Sequence, residues 1–443
     1  MTDLQVVVGL GETGLSCARY FKARGLPFAM LDSRLEPPHL AAFQRDFPGV
    51  KVSVGQLNHE LLSQATRIIL SPGVALSEPA IVEQIKRGTP VMGDIELFAE
   101  AVSAPVIAIT GTNAKSTVTT LVGLMAKKAG KKVQMGGNLG TPALDLLADS
   151  AADLFVLELS SFQLETTTSL KPQAATVLNI SPDHMDRYHT LADYQQAKLR
   201  VYQHAQLAVC NRDDSLTECP AGIAQAKYHF TLQVPRQREF GLSYQGSEAY
   251  LAHENQLLLA VRELPVVGKH YQANALAALA IGHGIGLPLD AMLAVLREFQ
   301  GLPHRCQFVR EWQDVRWYND SKGTNVGATL AAIEGLGSEI TGKVILIAGG
   351  LGKNADFNDL LPAFLQYTRH VVLIGEAANE IAMVINGQVP VSFANNMAEA
   401  VQLAAAAALP KDSVLLSPAC ASLDMFKNYE HRGDVFMAQV QEL

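Results

Sequence analysis

The chain has 443 residues, 48% of them hydrophobic and 18% charged, with a formal net charge of −8. A single core stops growing near ~250–300 residues, so this length calls for more than one domain, and three is the expectation. The acidic balance speaks against nucleic acid or an anionic membrane as a partner, so any phosphate site must rest on local loops and a few lysines.

The five cysteines, Cys17, Cys210, Cys219, Cys306 and Cys420, never form a C-x-x-C pair. They read as small buried residues in a reducing compartment. Asp3, Glu12 and Arg19 interrupt any apolar run at the start. No stretch approaches the roughly 18 apolar residues needed to span a bilayer, so the expectation is a cytoplasmic protein with no membrane partner.

Residues 5–8 read as a strand, followed by Gly9-Leu10-Gly11-Glu12-Thr13-Gly14, a helix to about residue 24, and a second strand, 28–32, closing on Asp32. This meets the dinucleotide fingerprint, with an acid placed for a ribose or base. Alone, it suits an unliganded βα turn, NAD or another nucleotide. Strands at 67–70 and 90–92, with the Ser71-Pro72-Gly73 turn after the first of them, complete a Rossmann-like unit, 1–93.

The second unit, 94–301, opens with Val106-Ile107-Ala108-Ile109 running into Thr110-Gly111-Thr112-Asn113-Ala114-Lys115-Ser116-Thr117 and a helix over 116–129. Strand, polar loop and helix leave backbone N–H groups at the positive helix end, with a lysine for phosphates and a hydroxyl for Mg²⁺. The usual phosphate loop has glycine where Ile109 and Ala114 stand. A left-handed alanine would cost on the order of 1 kcal/mol, so we expect a right-handed or extended backbone at Ala114.

Further strands at 154–159, 174–179 and 206–210 are apolar on both faces, as in a parallel sheet covered by helices. Glu158 inside such a strand needs a cation or hydrogen bonds. His184, in Ser181-Pro182-Asp183-His184-Met185-Asp186-Arg187, lies past a strand end, where doubly wound sheets hold ligands. Residues 228–267 read as a small antiparallel excursion with no visible chemistry. Helices at 271–284 and 290–299 lead to a hinge at Gly301-Leu302-Pro303.

The third unit, 302–443, has strands near 315–318, 343–348, 370–374 and 413–416 with helices between them, again Rossmann-like. The clusters Asn319-Asp320-Ser321-Lys322-Gly323-Thr324-Asn325, Gly349-Gly350-Leu351-Gly352-Lys353 and Ser417-Pro418-Ala419-Cys420-Ala421-Ser422 each follow a strand. The fold class is therefore α/β in three domains, the central one a P-loop ATPase-like parallel sheet.

Gly111-Thr112-Asn113-Ala114-Lys115-Ser116-Thr117, Glu158-Leu159-Ser160-Ser161-Phe162-Gln163-Leu164, Asp183-His184-Met185-Asp186-Arg187, Asn319-Asp320-Ser321-Lys322 and Ser417-Pro418-Ala419-Cys420-Ala421-Ser422-Leu423-Asp424 together resemble the Mur ligases of peptidoglycan synthesis, in order and over the whole chain. The resemblance implies a monomer that uses ATP to add D-glutamate to UDP-N-acetylmuramoyl-L-alanine through an acyl phosphate. It implies that Gly11, Glu12, Thr13, Asp32, Ser33, Arg34 and Gly73 hold the uridine diphosphate, and that Asn138, Ser160 and Gln163 position the muramoyl arm.

By the same resemblance Gly111 to Thr117, Asn274, Arg305, Asp320 and Lys322 receive ATP, with Lys115 on its phosphates. Ser116 and Glu158 would hold one Mg²⁺ and His184 a second; Lys198, carbamylated by CO₂, would be an anionic metal partner. The residues alone read Lys198 as a solvated helix lysine. Thr324, Lys353, Ser422 and Tyr429 would receive D-glutamate, and Lys115, His184, Lys198 and Lys322 would be the catalytic set.

Three positions depart from the family pattern: Ala114 for glycine, Tyr271 for an asparagine near the adenine, and Leu351 for the acid of a Gly-Gly-Asp-Gly-Lys run. Donor and acceptor sites on separate domains imply closure about Gly93 and Gly301. A nicotinamide oxidoreductase built on Gly9–Gly14, a non-enzymatic nucleotide switch and a folylpolyglutamate synthetase are the alternative readings.

Overall fold

A computed structural model describes residues 3–138, 140–149, 151–266 and 268–443. Val267, the expected end of the antiparallel excursion, lies outside the described residues. Three sheets, each with its own helices, make three α/β domains.

In the first, the strands run in the order Val52–Val54, Phe28–Asp32, Gln5–Val8, Arg67–Leu70, Val91–Met92, all parallel. The period-two alternation of strand side chains sorts the core onto two faces. Val7, Met30 and Ile69 pack with Phe21 and Phe43 on one side, while Val6, Val8, Leu31 and Ile68 pack with Leu61, Leu62 and Ile81 on the other. Full burial of each such side chain contributes about 1.5–3 kcal/mol. Gly14 lets the first helix approach the first strand, since a Cβ there would lie 2.0 Å from the Gly9 carbonyl oxygen.

The central sheet has nine strands, in the order Gln256–Ala260, Glu248–His253, Glu239–Gln245, Ala226–Phe230, Leu207–Asn211, Ala174–Val177, Val106–Thr110, Leu154–Glu158, Val133–Gly137. The expected antiparallel excursion is only partly antiparallel. Ala226–Phe230 pairs parallel with both Leu207–Asn211 and Glu239–Gln245 and continues the main sheet, and the reversal begins at Glu248–His253. Val106–Thr110, wholly buried, sits between Ala174–Val177 and Leu154–Glu158, so the loops after all three open on the same edge.

The third sheet runs Gln307–Trp312, Val315–Asn319, Ser413–Leu416, Val344–Gly349, Thr368–Ile374, Val391–Phe393, antiparallel only between its first two strands. Buried Arg432 knits together the loops after two of these strands, donating to the Ser321 hydroxyl (3.0 Å), the Ser321 carbonyl (2.8 Å) and the Cys420 carbonyl (3.1 Å). Among the described residues no helix is long and apolar enough to cross a membrane.

Candidate active site

Val106–Thr110 carries residues 111–114 to the sheet edge, where the helix Lys115–Lys128 begins. Ala114 departs from expectation: it is left-handed, with φ 69° and ψ −7°. The loop is fixed from outside, by bonds from the Thr112 and Asn113 N–H groups to the Asn179 carbonyl (2.9 Å) and side-chain oxygen (2.8 Å), and from the Asn179 amide to the Asn113 carbonyl (3.2 Å). Three such bonds, at about 1 kcal/mol each, outweigh the strain of one alanine.

Lys115 folds back over this loop, its Nζ 3.0 Å from the Gly111 oxygen and 2.9 Å from that of Thr112. Burial pulls its pKa down, against the pull of Glu158 and Asp183. Glu158 ends the neighbouring strand, 3% exposed. Burial alone would raise its pKa, but Lys115, the Ser116 hydroxyl, Asn138 and Arg305 together hold it below the ordinary value. Its Oε1 accepts from Asn138 Nδ2 at 2.7 Å, while its Oε2 is buried without a partner. Arg305 reaches from the third domain to the Ser116 hydroxyl at 2.6 Å.

Lys198 is not solvated. It is 1% exposed, its Nζ donates to the Gly111 carbonyl at 2.8 Å, and it lies 4.6 Å from the Tyr194 ring centre. The helix Leu191–Leu199 turns this residue toward the phosphate loop, a placement that its local sequence does not encode. Burial, reinforced by Lys115, drives its pKa well below the lysine range. His184, at φ 58°, packs its ring edge-on against Phe162 at 4.9 Å. Burial lowers its pKa despite Asp183.

These residues converge on a cavity of about 290 Å³, lined by Thr112 to Ser116, Asn138, Glu158, Ser160, His184, Lys198, Arg305, Lys322, Thr324 and Lys353. A second cavity, about 350 Å³, shares Asn113, Ala114, Arg305 and Lys322 with it and adds Thr117, Asn274, Asp320 and Tyr271. A third, about 530 Å³, shares Asn138 and is walled by Gly11, Glu12, Thr13, Asp32, Ser33, Arg34, Gly73 and Gln163. Three domains thus contribute to three cavities that share lining residues.

Within them, Asp32 already has its carboxylate engaged by the Leu10 N–H (2.7 Å) and the Arg34 guanidinium (2.7 Å). It therefore holds the glycine loop and Arg34 in place at the cavity wall. Asp320 accepts from Ser417 (2.7 Å) and the Cys306 N–H (3.1 Å), and burial pushes its pKa up to about 6. Tyr271 is buried and stacks on Phe299 with its hydroxyl unpartnered.

Of the four residues expected for the amino acid, Thr324 and Lys353 line the central cavity and Ser422 and Tyr429 do not. Ser422 is buried. Tyr429 lies beneath the Lys322 ammonium, 3.7 Å from its ring centre. Leu351 exchanges backbone bonds with Ala421, both 3.0 Å, fixing the loop before Lys353. Sequence reasoning gave no role to Asn179 or Asp183, which support the loop and pair with Lys353 at 2.9 Å. Their position just past strand ends was the available signal.

Three family models match the chain in succession: "Mur ligase MurD-like, N-terminal domain" over residues 3–93, "Mur ligase middle domain" over 109–282, and "Mur ligase, glutamate ligase domain" over 304–420. The chain is 54% identical to the UDP-N-acetylmuramoylalanine–D-glutamate ligase of Pseudomonas fluorescens (strain Pf0-1), covering 99% of this chain and 98% of that one. It is 53% identical to the ligase of the same name from Pseudomonas aeruginosa, over 99% and 98%. In fold it is similar to the UDP-N-acetylmuramate-alanine ligase MurC of Thermotoga maritima, with a TM-score of 0.63 at 18% identity over 99% of both chains.

Proposed function

The chain belongs to the Mur ligase family, and we propose that it is an ATP-dependent ligase adding D-glutamate to UDP-N-acetylmuramoyl-L-alanine in peptidoglycan precursor synthesis, as the relatives' names state for them. The observation that carries this reading is the set of neighbouring cavities, with Asn138 shared by one pair and Arg305 and Lys322 by the other. A carboxylate presented from the first domain meets a nucleotide's terminal phosphate held by the second.

In this reading residues 1–93 hold the UDP-substrate, 94–301 hold ATP and 302–443 receive the amino acid. The alanyl carboxylate attacks the γ-phosphorus, ADP leaves, and the D-glutamate amine then displaces phosphate from the acyl phosphate through a tetrahedral intermediate. Two anions must approach while negative charge spreads over phosphoryl oxygens, so positioning and charge neutralisation do most of the catalysis. Lys115, Arg305 and Lys322 face that charge. Loop N–H groups at the start of the helix Lys115–Lys128 orient the phosphates.

The donor set suits magnesium: Glu158 keeps a buried oxygen without a partner, and the Ser116 hydroxyl and His184 border the same cavity. We assign Ser116 and Glu158 to one ion, and His184 with Lys198 to a second. Bound there, the ions would offset phosphate charge. Burial, reinforced by Lys115, favours the neutral amine of Lys198, the form that attacks CO₂, forming an N–C bond and releasing a proton to give a carbamate. We place the enzyme in the cytoplasm as a monomer, where ATP and nucleotide sugars are found, and its product bears on cell shape and division.

Supplying ATP, magnesium and UDP-N-acetylmuramoyl-L-alanine with a panel of amino acids tests the reading. Phosphate release only with D-glutamate is expected; release indifferent to the amino acid, or preference for another, overturns it.

A further inference from the structure

Asn325 stands where the second and third domains touch. Its side-chain oxygen accepts from the Ala328 N–H at 2.9 Å, capping the helix Val326–Gly337. The same carboxamide forms a reciprocal pair with Asn113 of the phosphate loop, donating to its oxygen at 3.1 Å and accepting from its nitrogen at 3.3 Å. It also donates to Asp183 at 3.1 Å. The other Asp183 oxygen accepts from Lys353 at 2.9 Å. Asn325 is 6% exposed.

Every polar position of this one amide is therefore used, and its partners are the phosphate loop, the His184 loop and its own helix. Its chain neighbour Thr324 faces the central cavity. A loop with an empty or misplaced Asn113 would leave a buried amide unpaired, which costs about 1–3 kcal/mol. We propose that Asn325 is a positioning residue that locks the third domain onto the phosphate loop and Asp183, so that Thr324 and Lys353 are held opposite Lys115 only when the loop is correctly formed. This rests on the ligase reading above and adds to it the residue that couples nucleotide site to amino-acid site.

Asn325→Ser and Asn325→Asp separate this role from helix capping, because both replacements cap helices well yet neither supplies the amide donors. In the full chain, Asn325→Ser is expected to raise KM for D-glutamate and lower kcat, together by about tenfold or more, from the loss of a donor to a charged partner. Asn325→Asp is expected to lose more, since its carboxylate faces Asp183. Calorimetric affinity for the UDP-substrate alone should stay within about twofold of wild type, because the hydrogen bonds of Asn325 go to the phosphate loop, Asp183 and its own helix, and a lost hydrogen bond acts locally. Wild-type values of kcat and KM for D-glutamate in Asn325→Ser overturn the proposal. The wild-type control decides the ligase reading separately: activity there with an unaffected variant sinks only the lock.

Discussion

Lys198 and Gly111 meet at 2.8 Å, the amine of a buried helix residue against the carbonyl that opens the phosphate loop. The same carbonyl accepts from Lys115 at 3.0 Å, so two lysine amines converge on one oxygen, and among the described residues no acid is in hydrogen-bond contact with either. Such an arrangement weakens the fold in order to keep an amine at the site.

Replacing Lys198 by Met should therefore stabilise the protein while abolishing ligation. Burial disfavours the ammonium in the folded state, so the cost is full below the depressed folded pKa, shrinks as pH rises from there, and is gone above the ordinary lysine range. Gly111 keeps its bond from Lys115 in the variant. A gain of about 2–4 °C in melting temperature at neutral pH, shrinking toward pH 10, is expected. Thermal unfolding across pH in CO₂-free buffer checks it, and a variant less stable than wild type at pH 7 would refute it.

Ala114→Gly is expected to be active and slightly more stable. The left-handed backbone at φ 69° costs alanine about 1 kcal/mol, of which part returns as the greater unfolded-state freedom of glycine. Paired denaturant titrations should show a shift of a few tenths of a kcal/mol in the stabilising direction. A loss would mean that the loop's outside bonds, not the residue, set that angle at no cost.

The Ala114 misreading shows what a sequence leaves out. Strong apolar strands such as Gln5–Val8, Val106–Thr110 and Ser413–Leu416 were legible because buried parallel strands must be apolar throughout. Val52–Val54, Val133–Gly137, Gln307–Trp312 and Val391–Phe393 went unexpected, and each lies at a sheet edge, where one flank meets solvent and no apolar run is needed. At the site, motifs placed Lys115, Glu158 and His184 at strand ends, and the structure brings them around one cavity. Burial of Lys198 and the pairing of Asn113 with Asn325, 212 positions apart, depend on tertiary packing and have no local signature.

Lys322 should set the alkaline limb of activity. Burial, then Arg305 and Lys115, pulls its ammonium down to about 8. The charged form, present below that value, is the one that can neutralise phosphate; above it the amine is neutral, so kcat/KM for ATP should fall as pH rises through about 8. Arginine stays charged throughout, so Lys322→Arg, if active, should lose this limb. An unchanged profile in that variant would assign the limb to another group.

Arg187 ties the first domain to the second. It donates to the Pro72 carbonyl at 2.7 Å and to Glu165 at 3.1 Å, and its guanidinium lies 4.0 Å from the Phe162 ring centre, whose edge meets His184. Pro72 precedes Gly73 in the wall of the 530 Å³ cavity. The loop that borders this cavity is thus held by the residue that also braces the support of His184. Removing it by Arg187→Ala should let the Ser71-Pro72-Gly73 turn drift and raise KM for the UDP-substrate by about tenfold, the scale of one lost charged hydrogen bond. KM for ATP should move less than KM for the UDP-substrate, since Arg187 lines neither the 290 Å³ nor the 350 Å³ cavity and touches the first of them through the Phe162 ring. Lysine can reach one of the two acceptors but cannot make the fork, so Arg187→Lys should fall between the two. Steady-state kinetics with each substrate varied in turn decides it: equal changes in both KM values would show a general loss of structure rather than a tether on the UDP side.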